Sequence, residues 1–228
     1  MRKLYYTVSE ITENDRYVQS HSPLALCGFD LEPLSNNVGD YVYTECPVWK
    51  HKADRTYVMR SPVDIAFQCD GPVVLPLGGD NNMANSSMAF VTPSEGDVMQ
   101  LMAPFLCVWT DAKNVWVDVD ASPVTSLNNN FVAVGGQWNL SRWTRPLSFA
   151  MHVMDASKPV VIKRGDPIYQ VTFRSSNLNE KFQLIRKESI PDEVRRGMIQ
   201  ATGLKEYVSK LSSKFIFSEQ RQCPLRFR

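Results

Sequence analysis

The sequence predicts a mainly β fold, an antiparallel β-sandwich or jelly-roll-like barrel with a C-terminal helical appendage. Three observations lead there. Short β-branched or aromatic runs recur up to Phe173, each bounded by Pro, Gly, Asn or Asp. Prolines at 47, 62, 72, 76, 93, 104, 123, 146, 159 and 167 would break any helix laid across these runs, and they suit strand starts and edges. Strands do not alternate with helical patterns, which argues against a parallel α/β sheet.

Taken in order, the predicted strands are 41–43, 57–60, 63–67, 73–75, 105–109, 115–119, 131–134, 147–154, 160–162 and 168–173. The run Val115-Trp116-Val117-Asp118-Val119 alternates with period two, as a strand with one apolar and one wet face does. Between Gly78 and Gly96 the chain is rich in Gly, Asn and Ser and reads as one long loop; loops of this length are functional, ordered by a partner or disordered. After Phe173 the texture changes. Ser189 is placed to cap a helix with Asp192 and Glu193 in its first turn, and Val194, Met198 and Ala201 share one face. Gly203 interrupts, and Leu204, Tyr207, Val208 and Leu211 carry the apolar stripe on to about residue 213. The expected organisation is an N-terminal segment of strands and extended chain (1–43), a sandwich core (44–174), and a helix and tail (175–228) too short to form a core of their own.

Composition narrows the function classes. The 228 residues carry a net charge of +1, 43% are hydrophobic and 21% charged. This excludes a simple polybasic nucleic-acid binder and an intrinsically disordered chain. The five cysteines (27, 46, 69, 107 and 223) include no CxxC pair and no regular spacing, so thiols are expected, not a disulfide framework or a zinc ribbon. The opening Met-Arg-Lys-Leu-Tyr-Tyr is halted by Thr7, Ser9 and Glu10, too soon for a leader, and no stretch approaches the ~20 apolar residues of a membrane helix. Charge is unevenly spread. Residues 1–114 hold 8 Lys/Arg against 14 Asp/Glu, a net of −6, while 115–228 net +7. A solvated helical face accounts for part of this; head-to-tail pairing between an acidic and a basic face in an oligomer is the sharper reading.

Few residues form a catalytic pattern. Of the three histidines, His152 has Asp155 three residues on, which points to the opposite face of a strand, and no histidine follows it; a two-histidine, one-carboxylate iron site is disfavoured. Nucleophile-elbow, P-loop and dinucleotide glycine motifs are absent from the sequence. Asp118 and Asp120 fall on one face of their strand with Asp111 nearby, a pair able to bind a cation or share a proton, or simply to form the wet face of a sandwich strand. The most distinctive segment runs from Gly136 to Leu147. There Trp138 and Trp143, with Arg142 and Arg145, have the chemistry to stack a base, a sugar ring or a partner's side chain, or to anchor a wide loop by their rings.

Residues 160–173 read as a strand, a Lys163-Arg164-Gly165-Asp166-Pro167 turn and a second strand beginning Ile168-Tyr169-Gln170. This resembles the closing strands of the dUTPase and dCTP-deaminase superfamily. An Asp-Gly-Tyr nucleoside hairpin, a Ser-Ser-Gly phosphate loop and a Gly-rich C-terminal arm are missing, so the resemblance implies a related β topology. A second resemblance spans 44–174. Glu45-Cys46-Pro47, then Tyr57 and Arg60 to Ile65, then Val108-Trp109-Thr110, then Gly136-Gln137-Trp138-Asn139 with Trp143 to Leu147, and last Ile162 to Gln170, are similar in kind and order to an uncharacterised β-rich protein family of tailed bacteriophages. It implies a viral setting and no particular chemistry.

The expectation is therefore a non-catalytic structural or interaction protein of a phage particle, in the capsid, neck or tail. It would be made in the host cytoplasm and located in the virion, without cofactor or bound metal. Its partners would be copies of itself and other virion proteins, with no membrane and no sequence-specific nucleic acid. The expected contact residues are Trp138, Arg142, Trp143 and Arg145 in the loop and Phe215, Phe217, Leu225 and Phe227 in the tail. Two alternatives stand beside it: an intracellular host-takeover or defence-blocking binding protein, and a nucleotide hydrolase of the dUTPase type, for which Asp166 would be the residue to test.

Overall fold

The computed structural model describes residues 1–7, 31–36, 42–61, 64–70, 73–77, 91–93, 98–101, 107–122, 129–144, 147 and 149–197. In the first half of the chain the strands are β1 (Arg2–Thr7), β2 (Glu32–Pro33), β3 (Thr56–Arg60), β4 (Ile65–Asp70), β5 (Val73–Pro76), β6 (Val91–Pro93), β7 (Val98–Leu101) and β8 (Cys107–Trp109). The second half supplies β9 (Trp116–Asp120), β10 (Phe131–Val134), β11 (Gly136–Asn139), β12 (Phe149–Val153), β13 (Val160–Ile162), β14 (Pro167–Arg174) and β15 (Phe182–Arg186). A short helix, α1 (Pro47–Ala53), precedes β3.

These strands form a five-stranded sheet in the order β11-β9-β14-β3-β2, a four-stranded sheet β10-β12-β7-β6, and two three-stranded sheets, β13-β4-β5 and β15-β1-β8. Pairing is antiparallel except between β1 and β15, which run parallel from Arg2 opposite Phe182 to Tyr6 opposite Arg186. The fold is mainly β with several antiparallel sheets, sandwich-like as the strand spacing predicts, and no barrel closes among the described residues.

Strand periodicity builds one core from all four sheets. Leu4 of β1, Phe67 of β4, Met99 of β7, Val117 of β9, Met151 of β12, Ile162 of β13 and Phe173 of β14 all point into it and are essentially inaccessible. Burying each such side chain stabilises the fold by about 1.5–3 kcal/mol. Two smaller clusters lie outside it. Ile190 and Val194 cover Cys107, Trp109 and Tyr5 on the outer side of the β1–β8 pair. Residues 192–197 are helical there, with Arg195 N–H donating to Pro191 O at 3.0 Å. The second cluster joins Ala53 and Trp49 of α1 to Leu34 and Val58.

Several elements depart from the sequence expectation. Residues 41–43 were expected to be a strand, yet Val42–Glu45 is a 3-10 turn leading into α1. Pro47 at the first helical position favours that helix, because its fixed φ suits the start and its missing N–H would be unsatisfied there anyway. The 78–96 span holds β6, and the loop read from 136 holds β11. Within 175–228, expected to be helix and tail, β15 is a strand. No helix of the described residues is long and apolar enough to cross a membrane.

Candidate functional site

The five-stranded sheet has two chemically different faces. Val117 and Val119 of β9, Val171 and Phe173 of β14, and Trp138 of β11 alternate onto the core face. The residues between them line up across the other face: Gln137 stands opposite Asp118, Asp118 opposite Thr172, and Thr172 opposite Thr56. One register step along, Asp120 stands opposite Gln170. Period-two geometry thus converts four unrelated sequence segments into one polar row.

Helix α1 and the Leu34–Asn36 turn cover part of that face, through Ala53 and Leu34 on Val58. The part left open is a cleft of about 580 Å³. Asp118, Asp120, Thr172, Arg174, Gly136 and Gln137 line it from the sheet, Lys52 and Arg55 from the end of α1, and Leu178 from the chain beyond β14. Hydrogen bonds fix the join between helix and sheet. The Thr56 hydroxyl reaches Lys52 O at 2.8 Å and Thr172 Oγ1 at 2.9 Å, Arg55 N–H donates to Lys52 O at 3.1 Å, and Phe173 N–H to Arg55 O at 3.0 Å.

The charges in the cleft are unequally matched. Arg174 Nε forms an ion pair with Asp118 Oδ2, leaving Asp118 Oδ1 buried and without a hydrogen-bond partner. Arg55 is 8% exposed and Asp118 9%. The Arg55 guanidinium donates to His51 O at 3.2 Å through Nε and to His51 Nδ1 at 3.1 Å through Nη2, while Nη1 is buried with no partner. A guanidinium only donates, so His51 Nδ1 is the acceptor. Gly135 brings the backbone close beneath Asp120: a Cβ there would stand 3.2 Å from Asp120 Oδ1. At Gly136, which shares its side of the strand with Trp138, a Cβ would meet nothing within 4 Å.

The structure places the expected residues as follows. Trp138 is 6% exposed and Trp143 9%, and both belong to the main core with Leu140 between them. This corrects the expectation of a stacking surface for the two rings. β11 pairs with β9 and turns Trp138 inward, and the bonds from Arg142 N–H and Trp143 N–H to Asn139 O, at 3.1 and 3.0 Å, fold the following turn back on the sheet. Arg142 is half-buried. Arg145, Phe215, Phe217, Leu225 and Phe227 lie outside the described residues. Asp118 and Asp120 share one face as the alternation predicts, and no group of three His, Cys, Asp or Glu side chains able to hold a metal occurs among the described residues. His152, read as a half-buried strand residue, is exposed on β12. The sequence reading missed Arg55 and Arg174. The one available signal was the basic end of a helix opened by Pro47.

The 163–166 turn has a structural explanation for its composition. Gly165 adopts φ +88°. Asp166 Oδ2 accepts from Lys163 N–H at 2.8 Å, and Asp64 Oδ1 accepts from Arg164 N–H at 2.7 Å. Ser61 pairs with the turn in both directions, its N–H to Asp166 O and its O from Gly165 N–H, each at 2.8 Å. Asp166 is thus a turn residue, bonded to the backbone and outside the cleft lining.

No family model matches the sequence, and no curated protein matches it. Among solved structures, a mutant dUTPase from phage phi11 of S. aureus, described for its coordination of a structural Mg(II) ion, is similar with a TM-score of 0.33 and 12% identity, covering 70% of this chain and 98% of that one. A mutant dUTPase of Staphylococcus bacteriophage 80alpha with dUpNHpp gives a TM-score of 0.34 and 12% identity, covering 72% and 92%. Backbone agreement at this level carries no conclusion about activity.

Proposed function

We propose that the protein is a non-catalytic structural or interaction component of a phage particle, held in place by contacts with copies of itself and with other virion proteins. The observation that supports this reading is the outward face of β10. This strand ends its sheet among the described residues, and its outward residues are Val132, 41% exposed, and Val134, 44% exposed. Met154, at the end of the neighbouring β12, is 61% exposed. An edge strand with an apolar outer face and no charge to repel a neighbour is a ready template for pairing. The occupant we assign to it is a second copy of this chain, because the −6 and +7 halves supply complementary charge for self-contact.

Light scattering on the purified protein tests the surface: concentration-dependent association is expected, lost in Val132→Lys/Val134→Lys with the fold retained by circular dichroism. A monomer at all concentrations removes this support. Mass spectrometry of purified particles tests the setting. Presence in the particle is expected; abundance in infected cells with absence from particles replaces the structural reading with the host-directed binding protein. Turnover of any nucleotide in a panel with Mg²⁺ replaces it with the hydrolase of the dUTPase type.

A further inference from the structure

The cleft on the five-stranded sheet has a property that sheet stability does not require. Arg55 is more than nine-tenths buried, and its guanidinium is a hydrogen-bond donor with no acceptor of its own. Its hydrogen-bond partners are a backbone carbonyl and an imidazole nitrogen of His51, neither of them an anion, and Nη1 has no partner. The buried carboxylate in the same cleft is committed elsewhere, to Arg174. Desolvating a charge without pairing it is strongly unfavourable, so an uncompensated buried guanidinium in an open cleft is arranged for an anion that arrives from outside.

The geometry points to a small-molecule site for an oxyanion that also carries hydroxyl or amine donors, such as a sugar phosphate or a hydroxy acid. Arg55 and Lys52 take the phosphate or carboxylate oxygens. Asp118 Oδ1, the orphaned acceptor, and Asp120 accept from the ligand's donors. Leu178, 61% exposed, lies against the ligand's carbon skeleton at the rim. A cleft of about 580 Å³ lies within the usual range for such metabolites. This site is on a different sheet from the β10 surface and does not depend on the assembly reading.

Isothermal titration of the intact chain with inorganic phosphate, ribose 5-phosphate and malate tests it. At least one of the two hydroxylated anions should bind with a Kd of about 1 mM or tighter, and more tightly than inorganic phosphate. Arg55→Met should weaken that binding at least tenfold, as expected for loss of a charge-assisted hydrogen bond. Because Arg55 is buried, a second variant leaves the charges intact: Gln137→Trp, which puts a bulky ring at an exposed position on the cleft face, should weaken binding by a similar factor. Lys158→Met, at an exposed lysine outside the cleft lining, should bind as the parent does. Phosphate bound more tightly than either hydroxylated anion would refute the donor-accepting role of Asp118 and Asp120. The site itself is refuted if none of the three anions binds, or if binding survives both cleft variants.

Discussion

Asn130 braces the turn between β12 and β13 from outside it, and replacing it separates two energetic effects. Its backbone adopts φ +58°, in the left-handed region. Its side-chain amide donates to Asp155 O at 2.8 Å and Lys158 O at 2.9 Å, and its Oδ1 accepts from Asp155 N–H at 3.0 Å. Three such bonds at about 1 kcal/mol each would total about 3 kcal/mol, but Asn130 is only half-buried. Freed backbone groups there regain water, so about 2 kcal/mol is the expected loss. Alanine adds the left-handed backbone cost of about 1 kcal/mol, which glycine avoids. Urea denaturation should show Asn130→Ala less stable by about 3 kcal/mol and Asn130→Gly by about 2 kcal/mol, with unchanged m-values. The ordering is the decisive part. A glycine variant no more stable than the alanine variant, or an alanine variant within about 0.5 kcal/mol of the parent, refutes the reasoning.

Other predictions follow from local chemistry. The amides of Trp49 and Val48 at the start of α1 lower the pKa of the exposed Cys46 thiol, while burial pushes Cys107 up to about 12. Iodoacetamide at neutral pH should therefore label Cys46 well before Cys107 in peptide mapping, and equal rates would contradict the structure. Asp155 is held down to about 2 by the Ser157 hydroxyl, Lys158 and the Ser157 amide. A folded pKa below the unfolded one gives stability that is present above the ordinary 3.8 and lost as pH falls toward 2, so Asp155→Asn should flatten the acid limb of the stability curve in that window. Glu180 acts in the same direction: desolvation raises its pKa, but the bonds from Ser175 and Arg2 outweigh it, and Glu180→Gln should also make stability less acid-sensitive. Gly165→Ala should cost about 1–2 kcal/mol in denaturant unfolding through its φ of +88° alone, because a Cβ there meets nothing within 4 Å.

Legibility in the sequence followed the physics of each element. β9 and β14 were readable because buried valines and aromatics alternate there with polar residues facing the other way. β11, Gly-Gln-Trp-Asn, has no strand-forming run; it is extended because β9 pairs with it, a tertiary cause no local pattern carries. β15 had a faint signal in Phe182 and Leu184, but its parallel partner is the far-distant β1. For the cleft, the shared face of Asp118 and Asp120 was visible in their spacing. Arg55 was not, since its burial depends on α1 folding back over Thr56 and Thr172. Tryptophan and arginine side by side look alike in a contact loop and in a core corner, and burial alone assigned Trp138 and Trp143 to the core.

The parallel pairing of β1 with β15 sets an order of events during synthesis. Tyr5 and Tyr6 can meet Trp109 and Val108 once β8 has left the ribosome, but the other edge of β1 has no partner until Phe182 to Arg186 emerge. At about 5–20 residues per second that interval is roughly 4–15 s. During it a nascent chain carries an unsatisfied strand edge that includes Leu4 and Tyr5. A stalled or truncated product ending near residue 175 would keep that edge for good. Such fragments should be caught by chaperones or stick to one another, so the integrity of the 182–186 segment acts as a late checkpoint on whether the polypeptide accumulates in usable form.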